Sequence, residues 1–180
     1  MIILLNGSFG VGKTTVARIL HNYLPGSTIY NPEWVGSFLM RAPKWIKFKR
    51  TGANDFQHIE LWRKSTITGI RLYHWFTAGT VIVPMTFSNR DYFDEVVTGI
   101  KSFELELRIF CLKASLDTIK TRLTQRGTQI QGKESEWIAR RIVECSNAYL
   151  DNSFGEPIDT EYRSAKDVAD HIATLITLKQ

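Results

Sequence analysis

The sequence predicts an α/β fold, a parallel sheet with helices packed on both faces. Three features carry that prediction. Short apolar runs recur that are too continuous to leave one face wet. Stretches with apolar residues three and four apart lie between them. A glycine-rich turn joins the first run to the first such stretch.

Ile2–Asn6 is long enough for a buried strand, and Gly7–Gly12 is the glycine-rich turn. From Lys13 onward, Val16, Leu20, Tyr23 and Leu24 fall at helical spacing, and Pro25-Gly26 stops the helix. Thr28–Asn31 reads as a second strand, closed by Pro32. Residues 32–79 are too many for a plain loop, and Ile59, Trp62, Thr66, Ile70 and Tyr73 make part of them helical. Thr80–Pro84 is the cleanest buried strand, and the short helix after it turns Phe93, Val96, Val97 and Ile100 inward. Leu107–Leu112 is a fourth strand, and Ser115 caps a helix that runs to Arg126. Gly127–Glu134 is a polar loop, followed by a helix carrying Trp137, Ile138, Cys145 and Tyr149. Pro157–Thr160 gives a short fifth strand. Ser164 and Asp167 form a capping box that opens a last helix, with Val168, Ile172, Leu175 and Ile176 on one face. In such a sheet, ligands bind at the carboxyl ends of the strands.

With 180 residues, 43% of them hydrophobic and 23% charged, the chain makes one domain with a real core, and disorder is excluded. No apolar run approaches the roughly 20 residues of a membrane helix, and Met1–Leu5 is no signal peptide, so the expected place is the cytoplasm. Cys111 and Cys145 without a C-x-x-C exclude a zinc ribbon or disulfide scaffold and read as buried thiols. His58-Ile59-Glu60 repeats the H-x-E of zinc deaminases but has no P-C-x-x-C after it. The net charge of +5 is local: Arg41, Lys44, Lys47, Lys49 and Arg50 stand in one acid-free segment, and elsewhere 18 basic residues face 18 acidic ones. That points to one anionic contact patch. Trp45 and Phe48 interleave these cations. Trp34, Trp45, Trp62 and Trp75 within 32–79 suggest either core or a ring-binding pocket.

Residues 7–14, GSFGVGKT, match G-x-x-x-x-G-K-[ST], with Thr15 behind, and they join a strand to a helix as the phosphate-binding P-loop does. Gly7, Gly10 and Gly12 let main-chain amides, with that of Val11 among them, curl around phosphate oxygens. The helix from Lys13 aims its positive end at the same place. Lys13 reaches the β- and γ-phosphates of ATP, and Thr14 offers its hydroxyl to Mg²⁺. Arg122 and Arg126, four apart beside a glycine-bearing loop, have the form of a lid closing over a transferring phosphoryl group, and Arg140 and Arg141 follow one helix later.

GSFGVGKT after the first strand and R-L-x-x-R at 122–126 after the fourth resemble the small P-loop kinases of the adenylate, shikimate and gluconate kinase kind. More narrowly, MIILLNGSFGVGKT, TIYNPEWVG at 28–36, DFQHIELWR at 55–63 and VIVPMT at 81–86 resemble the tunicamycin-resistance protein family over about residues 1–175. The resemblance implies a three-layer P-loop NTPase fold with a five-stranded parallel sheet of order 2-3-1-4-5. It implies a helical insert at 32–79 for the second substrate and a lid at 122–141. It also implies that Arg122 packs against adenine and Arg126 touches phosphates.

The chain departs from that pattern at two points. Asn31 stands where many such kinases carry an Asp after the second strand, and an amide cannot take a proton from an alcohol. Glu33, two residues on, is the candidate base. The third strand ends in Pro84-Met85-Thr86, with no carboxylate to position Mg²⁺, and Asp91 is the nearest downstream. The expected function is ATP-dependent transfer to a hydroxyl of a nucleoside-like or sugar-containing antibiotic, tunicamycin or a relative. Lys13, Arg126 and Glu33 carry it, and Gly7, Gly10, Val11, Gly12, Lys13, Thr14, Thr15 and Arg122 hold the nucleotide. One alternative is a drug-sequestering protein without turnover. Another is a polynucleotide 5′-hydroxyl kinase, although nucleic acid is not the expected partner. No membrane span is expected, and a homodimer is left open.

Overall fold

The computed structural model describes residues 1–36, 56–127 and 133–178. The chain alternates strands and helices. β1 (Ile2–Gly7) is followed by α1 (Lys13–Tyr23), β2 (Thr28–Ile29), a 3₁₀ turn (Phe56–His58), α2 (Glu60–Thr77) and β3 (Val81–Pro84). Then come α3 (Arg90–Lys101), β4 (Leu107–Lys113), α4 (Leu116–Gln125), α5 (Lys133–Ala148), β5 (Glu156–Asp159) and α6 (Ala165–Thr177). The strands pair in parallel in the order β2-β3-β1-β4-β5, as the resemblance implied.

β1 lies at the centre, with Leu4 opposite Val83 on one side and Ile109 on the other. Its residues are all buried because both faces are covered. Side chains alternate across the pleat. Ile2 and Leu4 join Val81, Val83, Trp62, Phe93, Val96 and Tyr149 beneath α2, α3 and α5. Ile3 and Leu5 join Phe110, Leu112, Val16, Leu20 and Ile172 beneath α1 and α6. Each such Leu or Ile contributes about 1.5–3 kcal/mol by leaving water, so the two layers hold β1 and the loop that follows it in a fixed place.

β2 is shorter than the sequence suggests. The Tyr30 amide still donates to Ile82 O at 3.0 Å, but Asn31 Oδ1 then accepts the Glu33 amide at 2.9 Å and turns the chain. Residues 33–36 are helical. The capping box at Ser164 and Asp167 and the Ser115 cap are both present. Cys111 and Cys145 are buried and form no disulfide, and burial pushes the Cys111 thiol up to about 12 and raises the Cys145 thiol too, which disfavours the thiolate at both. The cationic segment 41–50, and residues 128–132 of the expected lid, lie outside the described residues.

Candidate active site

The loop 7–12 leaves β1 at its carboxyl end and enters α1. Gly10 sits at φ +78°, and a Cβ there would stand 2.8 Å from Leu123 Cγ. Gly12 sits at φ +111°, and open space lies where its Cβ would be. Gly12 is also the N-cap of α1, so no side-chain oxygen caps this helix, and no acid stands in its first turn. An uncapped, positively polarised helix end above an open cradle suits an anion.

Lys13 opens α1 and is only 8% exposed. Its Nζ donates to the carbonyl oxygens of Gly7 and Ser8, each at 2.9 Å, and lies 5.8 Å from the Phe9 ring centroid. Burial pushes its ammonium below the ordinary lysine value; Glu33 opposes the shift and Arg126 adds to it. Glu33 and Arg126, which lie far apart in the chain, thus both sit within electrostatic reach of Lys13. Thr14 and Thr15 are exposed at the start of α1.

A cleft opens beside the loop, lined by Val11, Gly12, Thr15, Arg122, Arg126 and Thr160. Arg122 is half-buried and fixed. Its Nη2 donates to Thr160 O at 2.6 Å, and its Nη1 to Thr160 Oγ1 at 3.0 Å and to Val11 O at 3.3 Å. Arg126, one residue past α4, is exposed. Thr160, just after β5, donates its own hydroxyl to Lys113 O at 2.9 Å.

On the other side of the loop lie Thr86 and Ser88, after β3. Arg141 is 6% exposed and donates from Nη1 to Ser88 Oγ at 2.9 Å and to Glu144 Oε2 at 2.7 Å. Ser88 donates in turn to Glu144 Oε1 at 2.8 Å. Arg140 is exposed and reaches back only to Glu136 O, so of the two arginines Arg141 is the one turned inward. Arg63 adds a second buried cation. Its Nε meets Glu95 at 2.6 Å, its Nη1 donates to Gln57 O at 2.7 Å, and its guanidinium lies 4.2 Å from the Tyr92 ring centroid. Tyr92 Oη is 3.1 Å from His58 Nδ1.

In the sequence Arg63 stands out only as the last residue of DFQHIELWR. The available signal is its place on the apolar stripe of α2, four residues after Ile59 and three before Thr66. Thr160 and Ser88 carry no such signal. Thr86 Oγ1 and Ser8 Oγ are buried at the ends of β3 and β1 without a protein partner. Asp91 is exposed in the first turn of α3. Among the described residues the tryptophans form no single pocket. Trp62 is core and donates its ring N–H to Pro32 O at 2.9 Å, Trp34 and Trp75 are exposed, and Trp45 lies outside the described residues. Among the described residues no three His, Cys, Asp or Glu side chains gather to hold a metal. The Thr14 hydroxyl, exposed and without a partner among the described residues, fits one ligand position on a phosphate-bound Mg²⁺.

The sequence matches the AAA domain family over residues 2–145. No curated protein matches it. Among solved structures, the tunicamycin resistance protein of Deinococcus radiodurans is similar, at 29% identity and TM-score 0.74, over 97% of this chain and 94% of that one. Shikimate kinase from Acinetobacter baumannii aligns at 18% identity and TM-score 0.59, over 99% and 94%. A gluconokinase from Sinorhizobium meliloti aligns at 13% and 0.62, over 99% and 96%. The last two show a shared kinase-like P-loop fold, and the first bears out the narrower resemblance.

Proposed function

The chain belongs to the AAA domain family, and from that footing we propose that it is an ATP-dependent phosphotransferase acting on a hydroxyl of a small nucleoside-like or sugar-containing antibiotic. The observation that carries the reading is the glycine loop itself, whose carbonyls hold the buried Lys13 Nζ beside the open, uncapped start of α1. The likeness to a tunicamycin resistance protein supports tunicamycin or a relative as the acceptor.

Residues 7–15 hold the triphosphate, and Arg122 and Thr160 border the base. Thr14 would hold Mg²⁺ at the phosphates, where the ion would supply positive charge to the transferred group. Lys13 turns from the loop carbonyls to the β- and γ-phosphates. Glu33 accepts the acceptor's hydroxyl proton as its oxygen bonds to the γ-phosphorus and the bond to ADP breaks. Arg126 and Arg141 offset charge on the moving group. Residues 32–79 make the acceptor side and 122–141 the lid, in a cytoplasmic protein. Among the described residues no helix is long and apolar enough to cross a membrane.

One observation favours a second reading, sequestration without turnover. The Asn31 carboxamide is held in a turn by the Glu33 amide, and Glu33 is the one carboxylate among residues 30–36. Incubation with ATP, Mg²⁺ and tunicamycin, followed by mass spectrometry of the drug, separates the two. A gain of one phosphate supports transfer; tight binding with unchanged mass supports sequestration.

A further inference from the structure

At the amino ends of the strands, away from the glycine loop, a cleft of about 480 Å³ opens beside the last turns of α2. Arg71, His74, Trp75, Ala78 and Phe103 line it. Glu104 is the acid next to it, and it is already engaged. The Met1 ammonium lies 3.4 Å from Glu104 Oε2, and His74 Nε2 lies 2.8 Å from the same oxygen. Arg71 differs. It is exposed, and its guanidinium lies 4.9 Å from the Phe103 ring centroid. Among the described residues it makes no hydrogen bond or ion pair. Trp75 is 74% exposed, with its ring centroid 5.2 Å from that of Phe76, itself 76% exposed. Two large rings left in water at one place mark a contact site.

We propose that this cleft binds a planar aromatic carboxylate of one or two fused rings, its ring against Trp75 and Phe103 and its carboxylate on Arg71. The charge of the occupant follows from Arg71. Its five N–H donors are unspent, and their fork matches the two oxygens of a carboxylate. Glu104 leaves that charge uncompensated, because its own partners are Met1 and His74. The shape of the occupant follows from the lining, an indole and a phenyl ring, on which a flat ring gains contact by stacking or edge packing. The volume falls within the usual range for ligand pockets, about 300–1,000 Å³. The cleft shares no lining residue with the Arg122 cleft, so the site stands apart from any phosphoryl transfer at the loop.

Equilibrium dialysis of 2-naphthoate and of its neutral isostere 2-naphthamide against the full chain, without nucleotide, tests the site. Saturable 2-naphthoate binding is expected, at least about threefold tighter than that of the amide at low ionic strength. High salt should narrow that gap, because the guanidinium is exposed. Arg71→Gln should erase the gap and leave amide binding unchanged. Trp75→Ala should weaken both ligands at least about fivefold. Both residues are exposed, so both variants should fold. Absence of saturable binding, or binding that survives Trp75→Ala, overturns the site. Equal affinity for acid and amide, or a gap that persists in Arg71→Gln, overturns the assignment of the carboxylate to Arg71. Sedimentation run alongside should show no change of mass with concentration that Trp75→Ala abolishes; such a change would mean that a second copy, not an acid, covers the cleft.

Discussion

Arg122 grips Thr160 twice, through the carbonyl at 2.6 Å and the hydroxyl at 3.0 Å. This pair ties α4 to the corner after β5 and sets one wall of the cleft beside the loop. Arg122→Ala removes both charge-assisted bonds and the bond to Val11 O. The expected loss is about 1–2 kcal/mol of stability, reduced from the buried value because the side chain is half-exposed. ATP affinity should fall in parallel, read by urea denaturation and calorimetry on the same preparation. Unchanged values in both would mean that the arginine merely decorates the surface.

Gly10 is the backbone position least open to change. At φ +78° an L-residue is strained by about 1–2 kcal/mol, and its Cβ would press on Leu123, which packs α4 against the loop. Gly10→Ala should therefore destabilise by at least that amount and weaken ATP binding. Gly10→Ala combined with Leu123→Ala should regain none of the strain caused by φ. Thermal unfolding of the single and double variants checks this.

Much of the fold is legible in the sequence, for a reason visible at Leu4 and Leu5. Both faces of β1 are buried, so the strand reads as an unbroken apolar run, and the helices between strands read by their stripes. The loop is legible because its chemistry needs glycines and lysine at fixed spacing. The far side of the loop is less legible. Ser88, Glu144 and Arg141 meet across more than fifty residues of chain, and only the packing of α5 beside β3 brings them together. The end of β2 differs because the Asn31 side chain competes with the strand for the Glu33 amide.

Glu144 carries a pH signature. Burial pushes its carboxyl up, but hydrogen bonds from Arg141 and Ser88 outweigh that and hold it below the ordinary glutamate value. A carboxyl lowered on folding adds stability that is fully present above its unfolded value of 4.5 and is lost as pH falls through the lower folded value. Urea midpoints for the native chain should drop over that acidic window. Glu144→Gln should be less stable at pH 7 and lose less on acidification; parallel pH curves would remove the assigned contribution.

Thr86 offers the opposite case. Its hydroxyl is buried without a protein partner. Thr86→Val keeps the shape and removes an unsatisfied group, so without ligand it should be neutral or stabilising by up to about 1 kcal/mol. A loss of more than about 2 kcal/mol in chemical denaturation would show that the hydroxyl has a structural partner.

Glu33→Gln separates binding from chemistry. The amide keeps the shape and cannot take the acceptor proton. Turnover should fall about 10²-fold or more while ATP affinity changes little. Full turnover would discard Glu33 as the base without touching the loop assignment.

The most direct measurement is calorimetric titration of Mg·ATP into the native chain and into Lys13→Ala. Saturable heat from the native chain, abolished or weakened at least about 100-fold by the substitution, is the expected result. Equal affinity in both, or no heat for the native chain, would contradict the claim that residues 7–15 grip a triphosphate.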